Sequence, residues 1–325
     1  LKNHKKEFEF TDEDFNFLSD LAYQQAGINL TTDKRELIYG RVAKRLRLLK
    51  ITNFKDYCSL LKQKNNKESS NFINSITTNV TSFFRENHHF EYLADKVIPE
   101  IIKKNTTASR PRLRIWSAGC STGKEPYSIA MVLRENIKDI DRWDAKILAT
   151  DLDSNVLKIA EEAIYPISRV EQVSLERKQR WMLQGTGEKS NHIRIRKQIR
   201  DLVHFKQLNL TEPWPIHGTF DCIFFRNVAI YFKRPTQIDI LNRFADHMEK
   251  NGTLFVGHSE SLIGLSKRYK NIDNNIEYRI KGDFMGFYEE LSKYYDIVFP
   301  LGKPKLNFIS KRIKGKQEVL DFSQL

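Results

Sequence analysis

Hydrophobic positions divide the chain into a helical first part and a second part in which strands and helices alternate. Over residues 12–25 and 33–50, apolar side chains recur at helical spacing, which predicts two amphipathic helices. Thr11 is suited to cap the first of them. Their inward positions include Phe15, Leu18, Leu21, Ala22, Ile38, Val42, Leu46 and Leu49. We therefore expect residues 1–88 to form a helical N-terminal domain, followed by a linker at 89–112.

From residue 111 onward, short apolar runs alternate with helical stretches, a pattern typical of parallel βαβ units. Strands are expected at 113–117, 146–150, 202–206, 220–225, 253–257 and 276–281, and helices at 126–137, 154–163 and 236–248. Residues 166–200 interrupt this alternation and predict a small β excursion. We expect one sheet domain over 113–283, and no role can be assigned to the tail at 284–325.

The first strand of this second part ends in a turn of small residues at 117–123, SAGCSTG, before a helix expected to begin at Pro126. A strand, a glycine turn and a helix in this order place backbone N–H groups beside a ligand. The spacing of Gly119 and Gly123, and Glu125 after the lysine, exclude a phosphate-binding P-loop. An acidic residue at the helix mouth suits a cationic nucleoside such as S-adenosylmethionine. The alternative is an ordinary turn without a ligand.

Charge and cysteine content limit the classes of binding partner and the cellular compartment that fit this chain. The 325 residues include 54 basic and 41 acidic ones, a net charge of +13, which suits an acidic partner or serves solubility alone. The sequence has neither a membrane-spanning apolar run nor a visible signal peptide. Three widely spaced cysteines favour a reducing cytoplasm over a disulfide framework or zinc site. Adjacent His88 and His89 should point apart, so we expect no metal.

Two basic segments are candidates for docking. From Lys34 to Lys50 inclusive there are seven basic residues and one acidic residue, on a helix that presents either an ordinary solvated face or a docking surface for an acidic helix or a phosphate backbone. At residues 192–196, Arg194 and Arg196 share one strand face. An exposed edge there would accept a peptide by strand addition, with arginines for a carboxylate, or the segment is a plain hairpin.

Six stretches, in chain order, resemble the CheR family of chemotaxis receptor methyltransferases. They are TTNVTSFFREN, RIWSAGCSTGKEPYS, ATDLD, LNL, FRNVAIYF and LFVGHSESL. The resemblance runs from about residue 10 to 281. It implies an α/β fold: a doubly wound, mostly parallel class I S-adenosylmethionine methyltransferase sheet, a small inserted β-subdomain and an all-α N-terminal domain. It also implies methyl transfer from S-adenosylmethionine to receptor glutamate carboxylates, leaving S-adenosylhomocysteine.

The resemblance assigns residues by motif. Arg85 and Tyr231 would stand beside the transferred methyl group. Together with the glycine turn, the implied cofactor contacts are Asn79, Thr81, Arg85, Gly119, Glu125, Asp151, Asn209, Leu210, Asn227 and Val228. The implied receptor contacts are Arg41, Lys44, Arg45 and Arg47 for the methylation helices, and Gly185, Gly187, Arg194 and Arg196 for a receptor C-terminal pentapeptide. Two residues depart from the family pattern, Lys124 in place of an acidic residue and Phe225 in place of cysteine.

Two other functions remain open from the sequence. A nucleic-acid methyltransferase would use the same cofactor fold and the positive charge, but the amino-directed enzymes carry a Pro-Pro-aromatic turn where residues 227–231 read NVAIY. A non-catalytic module would bind only the cofactor or the receptor. We expect a cytoplasmic enzyme that binds no nucleic acid and meets the membrane only through receptors.

Overall fold

Amphipathic helices fill the first part of the chain, as the hydrophobic pattern predicts. The computed structural model describes residues 6–63, 67–260, 262, 264–273, 277–280, 308–313 and 316–321. The first four helices are α1 (Asp12–Ala26), α2 (Arg35–Leu49), α3 (Phe54–Leu61) and α4 (Lys67–Ile76). Their apolar faces meet in one cluster in which Leu18, Val42 and Phe72 are fully buried. Burial of these faces, more than helix propensity, holds the unit together.

The ends of α1 show how local sequence sets its length. The side chain of Thr11 accepts from the backbone N–H of Asp14, and the Asp14 carboxylate accepts in return from that of Thr11, a capping box that confirms the predicted cap. At the other end Gly27 takes a left-handed conformation with φ of +67°. A side chain at this position would also collide with Thr211, because its Cβ would lie 2.5 Å from the Thr211 methyl.

The second part of the chain forms a seven-stranded sheet with helices on both faces. Its elements are β1 (Arg112–Ala118), α7 (Lys124–Asn136), β2 (Asp144–Asp151), α8 (Ser154–Glu162), β6 (Val203–Gln207), β7 (Phe220–Phe225), α11 (Arg234–Asp246), β8 (Met248–Val256), β9 (Tyr269–Asp273) and β10 (Glu277–Ile280). The strand order is β6-β2-β1-β7-β8-β10-β9, and β10 alone runs against the others. The predicted doubly wound, mostly parallel sheet beside an all-α domain is confirmed.

The alternation within β1 explains the two layers around the sheet. Leu113 and Ile115 belong to the apolar cluster on one face, together with α7. Trp116 and Ala118 belong to the cluster on the other face, together with α11. Because the strand order reverses between β1 and β7, a crevice opens there at the carboxyl ends of the strands.

The segment predicted as a linker, residues 89–112, is largely helical. It contains α5 (His88–Tyr92), a π-helical turn (Leu93–Val97) and α6 (Ile98–Lys104). Their buried side chains join the cluster around β1 and α7, so this segment is packed against the sheet. The connection without regular secondary structure lies earlier, at residues 77–87. The sequence marks residues 77–87 as a connection only by their short polar side chains. Residues 89–104, in contrast, have apolar side chains at helical spacing, which the predicted linker did not take into account.

The predicted β excursion is a separate three-stranded sheet. Its strands are β3 (Ile164–Pro166), β4 (Met182–Gln184) and β5 (His192–Ile195), and the short helices α9 (Leu175–Trp181) and α10 (Lys197–Arg200) adjoin them. The strand order is β3-β5-β4, so β5 is paired on both sides. The expectation that this arginine-bearing strand offers an edge is wrong. Within the excursion, the edges are β3 and β4.

Two further differences concern the end of the chain. The strand expected at 276–281 does not close the sheet, because the unpredicted β9 pairs outside it. In the tail, β11 (Phe308–Ile313) and β12 (Lys316–Asp321) form an antiparallel pair, while 281–307 and 322–325 lie outside the described residues. Among the helices described, none combines the length and the apolar character that crossing a bilayer demands.

Candidate functional site

A cavity occupies the crevice at the carboxyl ends of β1, β2 and β7. It encloses about 1010 Å³ of empty space, including its open mouth. The turns after these strands supply Gly119, Asp151 and Val228 to its wall, and the connection at 77–87 covers it. A pocket at a topological switch point is the usual place for a nucleotide-like ligand in this architecture.

The cavity collects every residue that the sequence predicted to contact cofactor or methyl group. These are Asn79, Thr81, Arg85, Gly119, Glu125, Asp151, Asn209, Leu210, Asn227, Val228 and Tyr231. They come from five separate stretches of sequence, which the sheet topology brings together. Their individual contacts with a ligand stay predictions.

The N–H groups of the glycine turn are used within the protein. Those of Gly119 and Cys120 each donate to the carbonyl of Thr150 at 2.8 Å, and that of Ser121 donates to the Asp151 carboxylate at 2.7 Å. The expectation that this turn offers its N–H groups to a ligand is therefore wrong for these three positions. A phosphate would need them, so the structure agrees with the exclusion of a phosphate-binding loop.

Close packing also explains the glycine at position 119. Its φ is +89°, and a Cβ there would lie 2.4 Å from a methyl of Val228. A larger residue would therefore push the turn after β7 out of the cavity wall. Glycine serves here to bring two walls of the cavity together, and φ above zero costs it little.

Asp151 ends β2 with its carboxylate facing the cavity. Its oxygens accept from the backbone N–H groups of Ser121 (2.7 Å) and Asp153 (2.9 Å). Burial nevertheless raises the pKa of Asp151 above its usual value. A ligand that brings hydroxyl donors would satisfy the remaining lone pairs, as a ribose does.

Glu125, in the first turn of α7, is held by a buried arginine. Arg226 donates from Nη1 to Glu125 Oε2 at 2.9 Å, and Ser117 donates to Oε1 at 2.8 Å. Only 1% of the Arg226 side chain is exposed, and its buried Nε has no partner among the described residues. No role is predicted for Arg226 from the sequence, although it directly precedes Asn227 in the motif FRNVAIYF.

The N-terminal domain supplies part of the wall, which no motif indicated. Ala26 and Ile28, at the end of α1, line the cavity. The backbone N–H of Asn29 donates to the carbonyl of Tyr231 at 2.8 Å. Asn209 donates to the carbonyl of Gln25 at 2.7 Å, so this predicted cofactor residue also ties the two domains together.

Arg85 and Tyr231 both line this cavity. Arg85 is 37% exposed at its side chain and donates to the carbonyl of Val80 at 2.9 Å. The Tyr231 hydroxyl donates to the carbonyl of Thr78 at 3.4 Å, and burial raises its pKa. Two exposed apolar side chains, Val80 and Ile230, neighbour these contacts in sequence. Arg85 and Tyr231 thus bring a cation and a protonated phenol to the cavity wall, beside apolar surface.

The basic helix α2 is less free than its sequence suggested. Arg41 donates to the carbonyls of Ile76 and Thr77, at the start of the connection that covers the cavity. Arg45 forms a two-pronged ion pair with buried Glu68. Lys44 is exposed, and Arg47 makes a surface ion pair with Glu7. Of the four predicted receptor contacts, two therefore serve the fold, and two face solvent.

The predicted pentapeptide residues lie on the small sheet at different places. Arg194 is exposed on the central strand β5, while Arg196 donates to the carbonyl of Gln179. Gly185 has no room for a side chain, since a Cβ would lie 2.2 Å from the carbonyl oxygen of Lys189. Gly187 has φ of +57° and open space around it.

The two adjacent histidines do not point apart as predicted. Their ring centroids are 4.2 Å apart, and with Glu86 they bring three potential metal-ligand atoms within 4.8 Å of one another. The Glu86 carboxylate already accepts from Arg226 and from the backbone N–H of His258. Such positively polarised donors around a carboxylate oppose the binding of a cation there.

The donor set of the cavity fits S-adenosylmethionine. Glu125 and Asp151 offer carboxylates for an ammonium group and for ribose hydroxyls. Leu210 and Val228 add apolar wall for a base. The two departures from the family pattern, Lys124 and Phe225, are both buried and leave this set intact.

Comparisons with known proteins agree with this geometry. The family model described as "CheR methyltransferase, SAM binding domain" matches residues 79–278, and that described as "CheR methyltransferase, all-alpha domain" matches residues 13–77. The chain is 41% identical over 272 residues to "Chemotaxis protein methyltransferase 2" of Pseudomonas aeruginosa, covering 83% of this chain and 94% of that protein. It is 40% identical over 262 residues to "Chemotaxis protein methyltransferase" of Escherichia coli, covering 80% and 88%. The chain thus belongs to the CheR family of S-adenosylmethionine-dependent methyltransferases.

Proposed function

We propose that this enzyme methylates glutamate side chains of chemotaxis receptors, giving the methyl esters used in sensory adaptation. The observation that supports this most directly is the meeting of Arg85 and Tyr231 with the predicted cofactor contacts in one cavity. The names of the relatives indicate a role in chemotaxis. Exposed cations on the N-terminal domain suit an acidic protein substrate.

Methyl transfer to a carboxylate requires that the two reactants be oriented, and it requires no general base. Bound S-adenosylmethionine supplies an electrophilic methyl group. A glutamate carboxylate, with an ordinary pKa of about 4.3, is already ionised at neutral pH and needs no proton removed. Orienting two reactants in line is worth about 7–11 kcal/mol. Arg85 is placed to orient the carboxylate, and Tyr231, whose pKa is raised by burial, remains a protonated donor.

Receptor recognition is proposed for two surfaces. Lys44 and Arg47 on α2 would face the acidic methylation helices, since Arg41 and Arg45 have internal partners. The edges of the small sheet, β3 and β4, would accept a receptor C-terminal pentapeptide as an added strand, with Arg194 near its carboxylate. The enzyme would act in the cytoplasm and reach the membrane only through receptors. No nucleic acid is needed as a partner.

A labelling assay tests the proposal. The protein is incubated with tritiated S-adenosylmethionine and receptor-bearing membranes, and label released as methanol by alkali is counted. We expect alkali-labile label on the receptor with the wild type and a rate at least about 100-fold lower with Arg85→Ala at saturating cofactor. Alkali-stable label, label on nucleic acid, or no label would contradict glutamate methylation. Full turnover by Arg85→Ala would contradict the role of Arg85.

A peptide titration tests the second surface. The receptor pentapeptide is titrated into the protein with a free carboxyl end and, as the matched control, with an amidated end. We expect weaker binding of the amidated peptide and of the free peptide to Arg194→Ala, with affinities that change little between low and moderate salt. Equal binding of both peptides, or binding lost wholly on adding salt, would indicate unspecific attraction.

A further inference from the structure

Glu86, the residue after Arg85, joins three separate segments of the chain. Its Oε2 accepts from Arg226 Nη2 at 3.2 Å and from the backbone N–H of His258 at 3.1 Å. Its Oε1 lies 3.4 Å from the donating Nδ2 of Asn227. The carboxylate therefore links the connection above the cavity to the turns that follow β7 and β8.

Arg226 extends this linkage to the site. Its guanidinium donates to Glu86, to Glu125 and to the backbone carbonyl of Arg85. Only 1% of the Arg226 side chain is exposed, so water cannot solvate its charge. The carboxylates of Glu86 and Glu125 compensate that charge instead. Glu125 lines the cavity, whereas Glu86 does not. One buried cation thus connects the cofactor cavity with the backbone that carries Arg85.

The backbone around Arg85 is held in an unfavourable conformation. Phe84 has φ of +52° and Glu86 has φ of +55°, so both neighbours of Arg85 are left-handed. Residues without a glycine's freedom keep such angles only where the surrounding contacts impose them. Phe84 is fixed by a hydrogen bond from its N–H to Ser128 at 3.0 Å. On the other side, the Glu86 carboxylate is the anchor.

Glu86 stays ionised in this setting. Burial alone would raise its pKa, but the hydrogen bond with His89 and the charge of Arg226 outweigh burial and hold the pKa of Glu86 well below its usual range. The anchor is therefore a charged carboxylate at neutral pH.

We infer that Glu86 is a positioning residue that sets where Arg85 stands, by fixing its backbone through Arg226 and the turns at Asn227 and His258. This role rests on the proposed function of Arg85. Glu86 would contact neither substrate nor cofactor. Loss of the Glu86 carboxylate should therefore slow methyl transfer without weakening cofactor binding.

Glu86→Gln keeps the size of the side chain and removes its charge. We expect kcat for receptor methylation to fall by about tenfold or more, with the dissociation constant for S-adenosylhomocysteine within about threefold of wild type. Amide hydrogen exchange over residues 78–90 should be faster. Glu91→Gln is the matched control, since Glu91 is exposed on the adjoining helix α5 and accepts from Asn87. It should leave kcat and exchange unchanged.

Several outcomes would overturn the inference. A kcat within twofold of wild type with unchanged exchange would do so, as would parallel losses of kcat, cofactor affinity and melting temperature, because those indicate general damage. If Glu86→Gln does not fold, Glu86→Asp keeps the charge but shortens its reach, and its kcat must fall with cofactor affinity retained. If the wild type forms no methyl ester, the proposed function fails, while the exchange measurement still decides whether Glu86 anchors residues 78–90.

Discussion

At the residue scale, short motifs predicted which side chains meet on the cavity wall. Asp151 ends a recognisable strand and Glu125 lies in the first turn of the helix after the glycine turn, so their place on the cavity wall follows from their neighbours in sequence. Ala26 and Ile28 carry no such signal, because they reach the cavity only through packing of α1 against the turn near Tyr231. The role of Arg226 could not be predicted from the motif that contains it, because the burial and ion pairing of this arginine depend on the fold.

Tyr231 gives a prediction about pH. Because burial raises its pKa, the phenol stays protonated through the neutral and mildly alkaline range, and kcat should be flat from about pH 7 to 9. Below about pH 4.3 the substrate glutamate gains its proton and the rate should fall about tenfold per unit. Initial-rate assays across this pH range measure both the flat region and the acid fall in rate. An alkaline rise in kcat that Tyr231→Phe abolishes would instead show catalysis by the phenolate.

At the element scale, helical and strand periods predicted most segments, but not their neighbours in the sheet. The alternation in β5 was identified, yet whether a strand is central or at an edge depends on partners distant in sequence. The strand β9 was missed because Tyr269–Asp273 is mostly polar. On α2, side-chain spacing predicted which residues face outward, but it could not predict that Arg45 pairs with Glu68 of α4.

The Arg45–Glu68 pair predicts a stability effect. Arg45→Met leaves a carboxylate that is 6% exposed without its cation, although Tyr57 and Asn71 still donate to it. We expect the free energy of unfolding to fall by about 2 kcal/mol, less than for a fully isolated buried charge. Arg47→Met is the control, because its pair with Glu7 is exposed, and it should change stability little. Urea unfolding measures both.

The same pair fixes the sign of the pH dependence. Burial opposes ionisation of Glu68, but the hydrogen bonds from Arg45, Asn71 and Tyr57 lower its pKa below the usual value. A lowered pKa contributes stability above the unfolded value of about 4.3 and loses it as pH falls through the folded value. The difference between wild type and Arg45→Met should therefore shrink in acid. A difference that stays constant down to pH 3 would contradict this account of Glu68.

At the scale of the whole molecule, two domains close on one cavity. The end of α1 forms part of its wall, and Asn29 and Asn209 bond across the boundary to Tyr231 and Gln25. We therefore expect a ligand in this cavity to contact both domains and to stabilise both. The sequence predicts two domains, but nothing local to either one indicates that the N-terminal domain lines this cavity.

Ligand binding should accordingly couple the unfolding of the two domains. At 100 times its dissociation constant, S-adenosylhomocysteine should raise the free energy of unfolding by about 2.7 kcal/mol. All four tryptophans, Trp116, Trp143, Trp181 and Trp214, lie in the sheet domain, so their fluorescence reports that domain, whereas far-ultraviolet circular dichroism follows all the helices. With ligand, the two melting curves should coincide. Separate transitions at saturating ligand would show that the N-terminal domain takes no part in the site.

Titration calorimetry with S-adenosylhomocysteine measures whether the cavity between the two domains holds the cofactor's product. We expect binding of one ligand per chain to the wild type, and affinity at least about tenfold weaker for Asp151→Asn, which loses a charge-assisted acceptor for ribose hydroxyls. No heat with the wild type, or equal affinity in the variant, would contradict it.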